Sequence, residues 1–166
     1  MLKDSFIVLI FISFSLLLVA CSDQSVREAG VGGQRGGLVT SGLGGPAQPP
    51  GFNDPKSPLY RRVIYFDYES SNIKPEFVEV LRAHARYIAT TPKAKVTLEG
   101  HTDERGTREF NLALAEDRAN AVRRFLRAEG AAESQLGIVS FGEEKPAQRG
   151  QGEQFWALNR RVELVY

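Results

Sequence analysis

The chain has 166 residues and carries 21 lysines and arginines against 20 aspartates and glutamates, a formal charge of +1 at pH 7. Such an even balance argues against a protein that is held to nucleic acid or to a membrane surface by charge alone. The length is enough for one domain of ordinary size and some flanking sequence.

The first 20 residues have the pattern of an export signal. A short polar start with Lys3 precedes an apolar run over residues 6–20. That run has about the length of a signal-peptide hydrophobic region and falls short of the roughly 20 apolar residues that span a membrane. We therefore predict a lipoprotein signal peptide over residues 1–20, with an uncleaved membrane anchor as the alternative.

Residues 18–21, LVAC, resemble a bacterial lipobox, in which the chain is cut before the cysteine and that residue is acylated, for example with palmitate. Cys21 is the only cysteine, so no intramolecular disulfide can form. Several acyl chains on one residue are enough for stable anchoring. Ser22, rather than an aspartate, follows the cysteine, which favours the outer membrane. We expect a lipid anchor in that membrane and a chain that faces the periplasm.

Residues 21–58 are predicted to be an acylated cysteine followed by a flexible tether. Stretches such as GVGGQRGG and QPPGFNDPKSP are rich in Gly and Pro and offer too little apolar surface to offset the entropy of ordering. A glycine-rich nucleotide loop does not fit, because no strand precedes these glycines and no Gly-Lys-Ser/Thr follows them. Residues 59–166 have the size of one domain.

Strands and helices alternate in the predicted domain. Apolar spacing predicts a first helix that begins near Pro75, with Asn72 or a neighbour as its cap, and ends before Pro92. β-branched and aromatic runs predict strands, and apolar spacing predicts the remaining helical segments. The strands are 62–66, 95–99, 138–141 and 161–166; the helical segments are 110–128 and a turn over 154–158. The order β-α-β-α-β-β predicts an α/β (α+β) sandwich, a mixed sheet with helices packed on one face.

Residues 99–119, EGHTDERGTREFNLALAEDRA, contain the candidate binding residues. Asn111 and Arg118 are seven residues apart and share one helical face, and Asp103 lies in the turn before that helix. An aspartate and an arginine fork suit a ligand that carries an ammonium and a carboxylate. Spacing alone leaves the alternatives open: Asp103 as a helix cap, and Arg118 as an exposed or intrahelically paired charge. Gly106 suits a turn and Thr107 suits a helix cap.

An enzyme is the alternative to a binding protein: a hydrolase that uses His101 with Asp103, or His84 with a carboxylate. The chain has only these two histidines, and it has neither a Gly-x-Ser-x-Gly motif nor metal-ligand spacing. A structural role is therefore favoured for both. We expect no enzyme activity, no catalytic residue, no metal and no cofactor.

Four stretches resemble the OmpA-like peptidoglycan-binding domain family: IYFDYESSNI (64–73), LEGHTDERGTREFNLALAEDRA (98–119), VSFGEEKPA (139–147) and NRRVELVY (159–166). The resemblance covers about residues 63–166, and it implies that the alternative enzyme would be a cell-wall hydrolase using His101 and Asp103. It implies binding of the peptidoglycan stem peptide through meso-diaminopimelate, and it implies a binding role for each residue at a motif position. These residues are Asp67, Thr102, Asp103, Asn111, Arg118, Arg160 and Arg161.

With the lipobox and the tether, the resemblance is to the lipoproteins of this family. It implies a protein of the Tol system that ties the outer membrane to the cell wall and acts in envelope integrity and cell division. TolB, competing for the same site, and TolA are the implied protein partners, and no nucleic acid is expected. A motor-stator protein of the family would need a spanning helix, for which residues 6–20 are too few.

Overall fold

The computed structural model describes residues 50–166. The predicted signal peptide, the lipidation of Cys21 and residues 21–49 of the predicted tether lie outside this range. Within it, no helix has both the length and the apolar character needed to cross a membrane.

The described part of the chain contains the predicted strands and helices in the predicted order. The elements are β1 (Val63–Tyr65), α1 (Val78–Thr90), β2 (Val96–His101), α2 (Arg108–Ala128), β3 (Leu136–Gly142), α3 (Glu153–Asn159) and β4 (Arg161–Val165). Short 3₁₀ turns over Pro58–Tyr60, Pro75–Phe77 and Glu133–Gln135 join them. The boundaries differ from the predicted ones by up to three residues: α1 begins at Val78 rather than near Pro75, and β2 and β3 extend through glycine by two residues.

The four strands form one mixed sheet in the order β1-β4-β2-β3. The last strand, β4, lies in the interior of the sheet and is antiparallel to both neighbours, while β2 and β3 are parallel. Parallel neighbours need a crossover connection, and α2 supplies it between β2 and β3. The predicted mixed α/β fold is confirmed.

The core lies between one face of the sheet and the two long helices. Ile64 pairs with Val162, and Leu98 pairs with Leu164, so these four side chains share a face. All are essentially inaccessible to solvent. The helical residues that complete this core are Val80, Leu81, Ala85, Ile88, Ala119, Val122 and Leu126. Apolar burial of this kind is the main source of stability for a domain of this size.

The helix termini confirm one predicted cap and contradict another. Thr107 caps α2, with its hydroxyl accepting from the amide of Phe110 at 3.2 Å. The predicted cap at Asn72 is wrong: Lys74 occupies the position before the turn at Pro75, and no side chain caps it. Proline at the first position explains this difference, because it has no N–H that needs a partner.

Phe52 lies inside the segment that was predicted to be tether, yet it is completely buried. Its ring packs edge-on against His84, Tyr87 and Tyr166, with ring centroids 6.0, 5.1 and 4.7 Å away. Ordered structure therefore begins before residue 59, the predicted start of the domain. The composition of the segment concealed this, since Phe52 is a single large apolar residue among prolines and glycines.

Candidate ligand-binding site

Close packing of α2 on β2 sets the geometry of the site. A Cβ on Gly100 would come within 2.1 Å of the carbonyl oxygen of Ala115, so only glycine allows the helix to approach the strand this closely. As a result, Asn111 and Arg118 of α2 lie beside the loop that leaves the end of β2.

That loop wraps around the carboxylate of Asp103, and Asp103 as a whole is only 3% exposed. One carboxylate oxygen accepts from the backbone amide of Arg105 at 3.1 Å, which closes a tight turn. Gly106 follows with φ of +110°, a conformation that favours glycine. Because Thr107 caps α2, the alternative of Asp103 as the helix cap does not hold.

Two arginine side chains pair with Asp103. Arg105 binds it in a fork, Nε to Oδ1 at 3.1 Å and Nη2 to Oδ2 at 2.6 Å, and Arg160 Nη1 donates to Oδ2 at 3.2 Å. Burial disfavours the charged carboxylate, but the hydrogen bonds from Arg105 and Arg160 outweigh this and hold the pKa of Asp103 below its usual value. Asp103 is therefore an anion at neutral pH.

Arg118 is fully buried, with 0% exposure, so neither an exposed charge nor an intrahelical pair describes it. Its guanidinium donates to three carbonyl oxygens: Ser70 at 2.8 Å, His101 at 2.8 Å and Asp67 at 3.0 Å. Burial, together with the nearby charge of Arg160, lowers its pKa to about 10, which leaves it charged at neutral pH. Arg118 thus joins α2 to the end of β2 and to the loop after β1.

One small pocket brings four of the predicted residues together: Thr102, Asp103, Asn111 and Arg118. The cavity is about 10 Å³, room for roughly one water molecule. The hydroxyl of Thr102 is buried and has no hydrogen-bond partner within residues 50–166. The pocket is completed by Tyr68, Glu69, Arg105, Phe110 and Leu114.

The other predicted site residues differ in how they relate to this pocket. Arg160 reaches it through Asp103 and is itself tied to the carbonyl of Phe66 at 3.1 Å. The backbone of Asp67 supports Arg118, but its side chain is 72% exposed and pairs with Lys74 at 2.7 Å.

Arg161 does not line the pocket, because its side chain bonds to groups elsewhere. It bonds to Glu163 at 2.6 Å and to the carbonyls of Asn159 and Lys145 at 3.3 Å.

Several residues at the site were not identified from the sequence. The guanidinium of Arg105 lies over the rings of Tyr68 and Trp156, 3.9 and 4.2 Å from their centroids. Asn111 Nδ2 donates to Glu143, in the turn after β3, at 2.5 Å. The sequence does show aromatic residues on both sides of the motif region. Which of them contact Arg105 depends on the geometry of the loops, which the sequence does not reveal.

Neither histidine forms the pair that the hydrolase alternative requires. His101 is buried, its ring stacks on Phe141, and neither ring nitrogen has a hydrogen-bond partner among the described residues. Burial lowers its pKa to about 4. His84 instead bonds to the hydroxyl of Tyr166 and the carbonyl of Arg61. Residues 50–166 also hold no cluster of three metal-ligating side chains.

Comparison with known proteins agrees with this fold. The model of the OmpA family matches residues 65–160, which include β2, β3, the three α-helices and every residue that lines the pocket described above. The chain belongs to the OmpA family.

Two sequence relatives and one solved structure in this family match most of the chain. The peptidoglycan-associated lipoprotein of Pseudomonas aeruginosa is 43% identical over 148 residues, 88% of each chain. The lipoprotein of the same name from Legionella pneumophila is 35% identical over 162 residues, 95% of this chain and 92% of its own. The crystal structure of the peptidoglycan-associated lipoprotein from Burkholderia pseudomallei superposes with a TM-score of 0.68 at 46% identity, covering 69% of this chain and 98% of that one.

Proposed function

We propose that this protein binds peptidoglycan non-covalently at the pocket between Asp103 and Arg118, and that it performs no chemistry on the bound wall. The observation that carries the proposal is the pocket itself, at which an anionic and a cationic side chain meet beside two neutral polar ones. Similarity to peptidoglycan-associated lipoproteins over 88% of the chain supports the same choice of ligand.

The ligand chemistry that fits is a carbon bearing both an ammonium and a carboxylate, as at the free end of meso-diaminopimelate. Asp103 accepts from the ammonium. A guanidinium has five N–H groups, and the carbonyl contacts of Arg118 use three, so two remain to donate to the ligand carboxylate. The hydroxyl of Thr102 and the amide of Asn111 fix the orientation of the bound group.

The wider role follows from the predicted anchor. Acylated Cys21 holds the chain in the outer membrane, facing the periplasm, and the residues before the domain allow it to reach the wall. Confinement to the membrane raises the effective concentration of the domain at the wall, so a modest affinity suffices. We further propose that the protein acts in the Tol-Pal system, with TolB and TolA as partners in envelope integrity and cell division.

Sedimentation of the full-length protein with isolated cell walls tests the binding site. Asp103→Asn keeps the shape of the side chain and removes its charge. Loss of one member of a desolvated charge pair costs about 2–5 kcal/mol, so affinity should fall by roughly 30- to 4000-fold.

The matched control is Asp117→Asn, the same change at an exposed position one residue before Arg118. It should sediment like wild type. Equal sedimentation of both folded variants would remove Asp103 from the site, and release of soluble muropeptides from the walls would favour the hydrolase instead.

The anchor is tested by labelling cells with palmitate. Cys21→Ala should abolish the label and release the protein from membranes. A variant that stays as membrane-bound as wild type would refute the lipidated cysteine.

A further inference from the structure

The position that a ligand cation needs at Asp103 is already filled from within the chain. Arg105 contacts both carboxylate oxygens, and Arg160 contacts one of them. The cavity beside this carboxylate is about 10 Å³, which is too small for an amino-acid-sized group. An incoming ammonium can therefore reach the carboxylate only if one arginine leaves.

The two arginines differ in how firmly they are held. The side chain of Arg160 is 6% exposed, and it also bonds to the carbonyl of Phe66 and to Glu153. The side chain of Arg105 is 29% exposed, and apart from Asp103 the only carboxylate that pairs with it among the described residues is Glu153, at 3.9 Å. Arg105 also precedes Gly106, whose positive φ places the residue in a turn. Arg105 is the one that can leave.

The surroundings of Arg105 are those of a cation site. Its guanidinium lies over Tyr68 and Trp156 and against the carboxylate of Asp103. Aromatic faces and a carboxylate attract any organic cation that replaces the guanidinium. The closed arrangement also leaves the buried hydroxyl of Thr102 without a partner among the described residues, which a polar ligand in the opened pocket would supply.

We propose that Arg105 is a displaceable internal occupant of the cation position, and that a ligand binds by moving its guanidinium away from Asp103. This inference rests on the proposed function, and it adds that Arg105 regulates access of the ligand to Asp103. A ligand is selected by whether its own cation replaces the guanidinium, so neutral and purely anionic fragments of the wall do not open the pocket. The apparent affinity is the intrinsic affinity multiplied by the fraction of molecules in which the pocket is open.

The test uses full-length protein, with meso-diaminopimelate and isolated cell walls as probes. Arg105→Gln removes the internal cation, and Arg105→Lys keeps the charge without the fork. The control is Arg108→Gln, which removes the same charge three residues later, where the side chain is 61% exposed and pairs with Glu144. Circular dichroism and melting check that each variant is folded.

Trp156 is the only tryptophan of the chain, so its fluorescence reports directly on the guanidinium that covers it. Binding of meso-diaminopimelate to wild type should change this fluorescence to saturation. Arg105→Gln should bind about tenfold more tightly by isothermal titration calorimetry, and its Trp156 fluorescence before any ligand is added should already differ from that of wild type. Arg105→Lys should lie between, and Arg108→Gln should match wild type in both readouts.

The failure of this inference is distinguishable from that of the proposed function. If wild type binds the walls with no change in Trp156 fluorescence, or if Arg105→Gln binds no more tightly than Arg108→Gln, the displacement is refuted and wall binding stands. If neither wild type nor Arg105→Gln binds either probe, the proposed function fails and the displacement fails with it.

Discussion

The two ends of strand β4 carry buried polar groups of opposite kinds. Arg160 precedes the strand and belongs to the charged pocket, whereas Tyr166 follows it and belongs to a neutral cluster with His84 and Phe52. His84 Nε2 lies 3.0 Å from the carbonyl of Arg61, and a carbonyl only accepts. The proton is therefore on Nε2, and Nδ1 accepts from the hydroxyl of Tyr166 at 2.7 Å.

The difference separates two uses of buried polarity. Both ring nitrogens of His84 are paired, and aromatic rings surround the imidazole, so the neutral cluster is complete without a ligand. At the charged end, the hydroxyl of Thr102 has no hydrogen-bond partner within residues 50–166, and the guanidinium of Arg105 is partly exposed. An arrangement with unused hydrogen-bonding capacity is one that a ligand can complete. One end holds the fold together, and the other end is the one that we propose for ligand binding.

The largest effect on the fold should come from Arg118, the residue of the charged end that also has a structural role. Arg118→Ala leaves three carbonyls without their donor and should lower the free energy of unfolding by about 4 kcal/mol. Urea unfolding measures this. Arg124→Ala, at an exposed position on the same helix, is the control and should change stability by less than about 0.5 kcal/mol.

Arg118→Lys sharpens the result, because one ammonium cannot reach three carbonyls in the geometry of a guanidinium. It should recover only part of the loss. An Arg118→Ala variant within 1 kcal/mol of wild type would show that the carbonyl contacts contribute little and that the two ends do not differ as described.

At the neutral end, Phe52→Ala should lower the free energy of unfolding by about 3 kcal/mol, because a completely buried ring is lost. A chain that begins at residue 59 should lose the same amount relative to one that begins at residue 50. Thermal melts of the three proteins make the comparison. A chain that begins at residue 59 and melts like the longer one would restore the predicted boundary.

The two buried histidines and Asp103 should also respond to acid in different ranges. Burial lowers the pKa of His84 and of His101 to about 4, so the unfolded state takes up protons first as pH falls below 6.5. Stability should drop by about 2 kcal/mol for each histidine between pH 7 and pH 4.5. The pKa of Asp103 lies below its ordinary value of 3.8, so its contribution is present above that pH and is lost only as pH falls further.

Urea unfolding at pH 7 and pH 4.5 measures the histidine contribution. His84→Gln should flatten the pH dependence by about 2 kcal/mol, whatever its effect at pH 7. A wild-type stability that stays constant between these two values would contradict the burial of neutral histidines.

The sequence was sufficient for the order of the elements because the strands are β-branched and the helices have regular apolar spacing. It did not locate the ends of β2 and β3, where Gly100 and Gly137 lie in strands that inter-strand pairing, rather than propensity, extends. Phe52 was missed because one aromatic residue does not change the composition of a glycine- and proline-rich segment.

The motif predicted Asp103 and Arg118 as neighbours, and the structure places both at one pocket. The motif did not reveal that Arg118 is buried, since an arginine next to Glu116 and Asp117 has the pattern of a solvated helix face. The pairing of Arg105 with Asp103 depends on the turn that Gly106 allows, and no periodicity reports on such a turn. Interactions within loops therefore required the structure.

The most direct test of the contrast between the two ends is a titration of the protein with meso-diaminopimelate, followed by backbone amide NMR. Amide shifts should be confined to residues 66–70, 101–107 and the neighbourhood of Arg160, with Phe52, His84 and Tyr166 unchanged. Saturable shifts centred on the neutral cluster, or none near Asp103, would contradict the assignment of the charged end as the binding site.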